Sequence, residues 1–144
     1  MAKLIILFLA VISVVLPAQA IIYTCIYEPY ESIGDKPGYA CTATLIDVTL
    51  NALQVTVVNG ISAENLKANR VRFSHTVSTA HNCRMLQSVP QRLEIFFPNM
   101  DVLSLLSCGT NKLNENDLAK YTKLRRLDIV SSYIEYIPRN FFAH

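Results

Sequence analysis

The sequence predicts an α/β solenoid-type fold, with short parallel strands set one per turn and a β-hairpin cap at the N-terminal end. Three observations carry that expectation. The apolar residues Leu124, Leu127, Ile129, Ile134 and Ile137 fit neither a helical period of 3.6 nor a sustained strand alternation of 2. The same spacing occurs once earlier in the chain, where Met100, Leu103, Leu105 and Cys108 match Leu124, Leu127, Ile129 and Ser132. Leu113 and Leu118 then correspond to Ile137 and Phe142. Finally, four cysteines lie beyond an N-terminal stretch with the features of an export signal.

A recurrence of this kind has a physical cause. A single turn cannot bury its own apolar face, so turns stack, with strands about 4.8 Å apart and equivalent side chains in ladders. The Leu124–Phe142 segment, with its Ile137-Pro138 step and following Phe142, resembles an extracellular leucine-rich repeat, L-x-x-L-x-L-x-x-N/C-x-L, with Ser132 in the polar slot. Phe97-Pro98-Asn99-Met100 resembles the F-P-N-L lead-in found before such repeats. The specific match runs from Phe97 onward, about a third of the chain. The resemblance implies a fragment of a horseshoe whose concave strands bind, usually, proteins. It names no partner, because such folds carry many unrelated functions.

In chain order, Lys3 gives a short positive region, residues 4–16 are apolar apart from Ser13, and Ala18-Gln19-Ala20 closes an A-x-A pattern. Residues 1–20 therefore read as a secretory signal peptide cleaved after Ala20; the apolar run is shorter than the roughly 20 residues of a membrane span. The mature chain would have 12 basic and 11 acidic residues, a balance that argues against a nucleic-acid binder or a basic membrane-surface protein. We expect a secreted, extracellular product without stable membrane insertion.

Residues 21–62 should form an N-terminal cap. The spacing of Cys25 and Cys41 suggests a disulfide that closes it, although four cysteines allow three connectivities. Residues 23–35 read as irregular, and Gly34-Asp35-Lys36-Pro37-Gly38 as a turn cluster. From Tyr39 to Gly60 the pattern is strand-like: Leu53, Val55 and Val57 alternate with Gln54 and Thr56, which predicts a capping hairpin.

Residues 63–144 should hold the repeats, the first degenerate and the last unfinished. Val71 and Phe73 take the places of Leu103 and Leu105, at a longer offset than the one separating the two later frames, with the excess in a loop over 76–82. Cys83 then shares a ladder position with Cys108, and Val89-Pro90 resembles Ile137-Pro138. Stacked Cα atoms about 5 Å apart permit a Cys83–Cys108 disulfide; buried thiols in place of ladder asparagines are the alternative.

The chemistry-bearing candidates are few. His75, His81 and Cys83 have an H-x5-H-x-C spacing that matches no zinc pattern, and no nucleophile elbow, H-E-x-x-H or phosphate loop occurs. No enzyme, cofactor or metal site is expected. Binding is the better expectation, because the repeat frame places Arg70, Arg72, Ser74 and His75, then Val102, Ser104, Leu106 and Ser107, then Arg126, Asp128, Val130 and Ser131 on the concave side. Arg72, Val102, Ser104, Leu106, Arg126, Asp128 and Val130 are the expected protein-binding residues: an apolar strip of Val102, Leu106 and Val130 flanked by arginines. An ordinary solvated sheet face would carry a similar pattern. Lys120, Lys123, Arg125 and Arg126 form a basic run that suits either an acidic partner or a solvated edge. The second functional expectation is assembly, in which the last turn pairs with another copy or with a longer leucine-rich repeat protein.

Overall fold

The computed structural model describes residues 21–31, 37–48, 55–58, 63–74, 83, 86–130 and 133–143. The expected signal peptide, His75, His81 and Ser131 lie outside them. Within them the fold is of α/β type, a mixed sheet with little helix. The strands are β1 (Ile21–Tyr30), β2 (Gly38–Val48), β3 (Val55–Val58), β4 (Arg70–Ser74), β5 (Val102–Leu106) and β6 (Arg126–Val130); the helices are the single turns α1 (Ala63–Lys67) and α2 (Leu93–Phe96). The strand order is β3-β1-β2-β4-β5-β6. β1 and β2 are antiparallel, and every other neighbouring pair is parallel.

Two expectations about the N-terminal region are corrected. The hairpin is built from β1 and β2, so the segment from Tyr23 to Tyr30 is strand rather than irregular chain. β2 does not pair with β3, which runs parallel to β1 at the sheet's edge. The strand signal was present in the i, i+2 spacing of Tyr23, Cys25 and Tyr27, but these aromatic and sulfur side chains do not stand out as apolar, and Pro29 argues against a central strand. The structure answers the Pro29 objection: among the described residues β3 flanks β1 only at residues 21–23, so at Pro29 no described strand on that side calls for the missing N–H.

The parallel strands are in strict register. Val71 pairs with Leu103 and Leu103 with Leu127; Phe73 pairs with Leu105 and Leu105 with Ile129. Cys41 and Ala43 continue the two rows into β2. Alternation sends these residues to one face, where Cys41, Val71, Phe73, Leu103 and Leu105 are fully buried. The connecting segments lay Leu86, Val89, Leu93, Phe97, Leu113, Tyr121 and Phe141 over them. Tyr23 meets Phe73 edge-on at 5.4 Å and stacks near Phe97 at 6.3 Å, so β1 joins the same core.

Backbone bonds at the strand starts recur. Asp101 N and Val102 N both donate to Asn69 O, and Arg125 N and Arg126 N both donate to Asp101 O. Asn69 also receives Tyr39 N on Oδ1 at 2.9 Å, which anchors the hairpin to β4. Gly38 lies so close that a Cβ there would come within 2.6 Å of both Asn69 Oδ1 and Arg70 Nε.

Two disulfides close the loops, Cys25–Cys41 and Cys83–Cys108, with Cα separations of 5.0 and 4.7 Å. The first ties β1 to β2; the second ties the segment after β4 to the segment after β5. This cysteine usage fits a secreted or extracellular chain. No helix among the described residues is long and apolar enough to cross a membrane.

Burial fades along the C-terminal third. β4 and β5 are mostly buried, whereas Leu127 and Ile129 of β6 are only half-covered. Two further corrections belong here. Phe141 is buried and its neighbour Phe142 is 72% exposed, so the buried aromatic sits one residue before the expected position. Ile137 is 53% exposed, whereas Leu113, its counterpart by spacing, is buried. Phe141 belongs to the core cluster, and Ile134 packs against it together with Leu127 and Ile129 of β6.

Candidate binding face

The face of the sheet opposite the core is set by the same alternation. One cross-strand row reads Ala40, Arg70, Val102 and Arg126; the next reads Thr42, Arg72, Ser104 and Asp128; the last reads Ser74, Leu106 and Val130. Odd and even positions of β4 therefore do different work, Val71 and Phe73 filling the core while Arg70 and Arg72 are directed to the outer face.

A shallow groove of about 280 Å³ runs over these rows, and all seven expected binding residues line it: Arg72, Val102, Ser104, Leu106, Arg126, Asp128 and Val130. Arg70 lines it as well, with Tyr30 at its N-terminal end. Ser74 and Ser107 do not. Ser74 is buried, and Ser107, at φ 55°, is where the chain turns away from β5. The apolar members are not equal, since Val130 is 50% exposed while Val102 is buried between flanking arginines.

The polar members are organised by short contacts. Asp128 accepts from Arg126 Nε at 2.8 Å and from the Ser104 hydroxyl at 3.1 Å, so one arginine's charge is met inside the face. The guanidinium of Arg70 lies 4.5 Å from the centre of the Tyr30 ring, a cation–π contact that fixes it. Arg72 Nε is shielded from solvent and has no hydrogen-bond partner among the described residues. Thr42 donates to Glu28 Oε1 at 3.1 Å, extending the polar surface onto β1. Tyr30 and Glu28 were not anticipated as part of this face; the signal that would have found them is the strand alternation of β1.

The basic run does not gather at one place. Arg126 enters the groove, Arg125 bonds Asp101 at 2.6 Å, and Lys123 donates to Asn99 at 2.8 Å. Lys120 and Lys123 line a separate cleft with Glu94 and Tyr121.

Beside the hairpin, a second polar cluster links β1, β2 and α1. Tyr27 and Tyr39 stack at 6.0 Å, Tyr27 donates to Asn65, and Tyr39 donates to Glu64 at 2.5 Å, with Lys67 on the same carboxylate at 2.8 Å. The hydrogen bond to Glu64 raises the Tyr39 phenol above its ordinary value, and the bonds from Lys67 and Tyr39 lower the Glu64 carboxyl. This arrangement holds α1 against the hairpin. Among the described residues no group of three or more His, Cys, Asp or Glu is placed to hold a metal ion.

Comparison with protein-family models, with curated proteins and with solved structures returned no match for this chain.

Proposed function

We propose that this chain is a secreted, non-catalytic binding module of the leucine-rich repeat type, which recognises a protein partner through a concave strand face. The observation that carries the reading is the groove. Seven residues chosen from spacing alone line one surface, with apolar and arginine side chains side by side, a composition suited to a protein interface. The repeat part of the reading is supported by the register of β5 with β6, which pairs Leu103 with Leu127 and Leu105 with Ile129 as the sequence frames do, and by the doubled backbone bonds at Asn69 and Asp101. The decisive experiment labels proteins near the secreted chain on cell surfaces and compares it with the Leu106→Asp, Val130→Asp double variant. Both positions lie outside the core, so the variant keeps its fold and loses its partners. Identical labelling by the two chains rules out the groove as the binding face.

A second reading has its own observation. Leu127 and Ile129 of β6 are half-covered, and Val130 at its end, with Tyr133, Tyr136, Ile137 and Phe142 after it in the chain, is exposed. Edges of this kind pair with other chains, so assembly through β6 is the alternative. Light scattering on the purified chain separates the two: a concentration-independent monomer removes assembly, and a stable dimer that Ile137→Asp dissolves supports it.

A further inference from the structure

We propose that the groove selects an extended peptide carrying an acidic residue and, two positions along, an apolar one, with the carboxylate at Arg72 and the apolar side chain at Leu106. This rests on the concave-face reading above and adds the chemistry of its partner.

Charge argues for the acidic residue. Three arginines and one acid line the groove, and that acid, Asp128, is engaged by Arg126 and Ser104. Arg70 is engaged by contacts of its own, so the cationic character that a ligand can meet rests on β4 at Arg72. Arg70 is pinned over Tyr30. At Arg72 the Nε is cut off from water without a partner among the described residues, while the residue as a whole is half-buried in the groove, which leaves its charge partly desolvated yet open to a ligand. A carboxylate that reaches such a group gains more than it would at a hydrated surface cation, and its two oxygens match the planar fork.

Spacing argues for the second residue. Leu106 stands one strand over from Arg72 and two residues further along, since Arg72 pairs with Ser104 and Ser74 with Leu106. Such diagonal neighbours lie about 7–8 Å apart. Side chains on one face of an extended peptide recur every second residue, at roughly 6.7 Å. Val130, next to Leu106 on β6, widens the apolar seat.

The test uses fluorescence anisotropy of the purified full chain with blocked, labelled peptides of serine and threonine bearing Glu-Thr-Leu, Gln-Thr-Leu or Glu-Thr-Ser at the centre. The Glu-Thr-Leu probe should bind best, with replacement of either outer residue weakening it about tenfold. Arg72→Gln should abolish the difference between the Glu and Gln probes; if that variant does not fold, the probe series on the unmodified chain decides. Equal binding of the Glu and Gln probes, still lost in Leu106→Asp, overturns the acidic preference and leaves the face intact as a binding surface. Binding by no probe, or binding indifferent to Leu106→Asp, overturns both. Tight binding of a heparin-derived hexasaccharide in place of the peptides also overturns the proposal.

Discussion

Phe73, Leu105 and Ile129 occupy one row of the sheet, yet the first two are fully buried and the third is half-open. The residue types are equally apolar and the strands equally regular. The difference lies in what flanks each strand. Among the described residues β4 and β5 have a strand on both sides, whereas β6 has a strand on one side only, so its inward side chains share the core cluster with Ile134 and Phe141 but lack a second row of strand partners. In a fold of stacked strands, burial is a property of position in the stack.

The largest effect that would sharpen this contrast comes from truncation at the two ends of the row. Leu105→Ala should lower unfolding free energy by about 3 kcal/mol, because it empties a closed core site. Ile129→Ala should lower it by about 1 kcal/mol, since a half-covered side chain has less area to lose. Urea denaturation of the two variants checks both values. Equal losses would break the contrast and mean that β6 is covered in solution.

A smaller effect compares two buried phenols. Burial pushes both the Tyr23 and Tyr121 hydroxyls far above the ordinary tyrosine value of 10.0. Their folded pKa values are raised, so the stability they contribute is complete below about pH 10 and is lost as pH rises past it, where the unfolded chain sheds the protons first. Near-ultraviolet titration should show these two ionising only together with unfolding. They differ in bonding, however. Tyr121 donates to Pro90 O, while Tyr23 has no hydrogen-bond partner among the described residues. Tyr121→Phe should cost about 1 kcal/mol, whereas Tyr23→Phe should be neutral or slightly stabilising. A comparable loss at Tyr23 would show that its hydroxyl is bonded in solution.

Much of the parallel region was legible in the spacing of its apolar residues. The places of Val71 and Phe73 opposite Leu103 and Leu105 followed from the apolar spacing, even with a longer connection between them than between the later frames. That works because alternation in a strand has a period of 2, so one aligned pair settles the facing of every other residue. The groove residues were legible for the same reason. The hairpin was not, because Tyr23, Cys25 and Tyr27 become an inward face only once β2 and the Phe73–Phe97 cluster lie against them. Nor was the exchange of Phe141 for Phe142, since two adjacent phenylalanines offer the same hydrophobic gain and the turn between Pro138 and Phe141 decides which one reaches the core.

Which side chains share a face could be read along the chain, because that depends on local backbone periodicity and on the stacking register of equivalent positions. How those faces are furnished is a matter of tertiary contact: Arg70 lies on Tyr30, Asp128 engages Arg126, and Arg72 Nε has no partner among the described residues. Contacts between side chains from different strands depend on rotamers and on what else crowds the face, and neither is written in the spacing of residues along one chain.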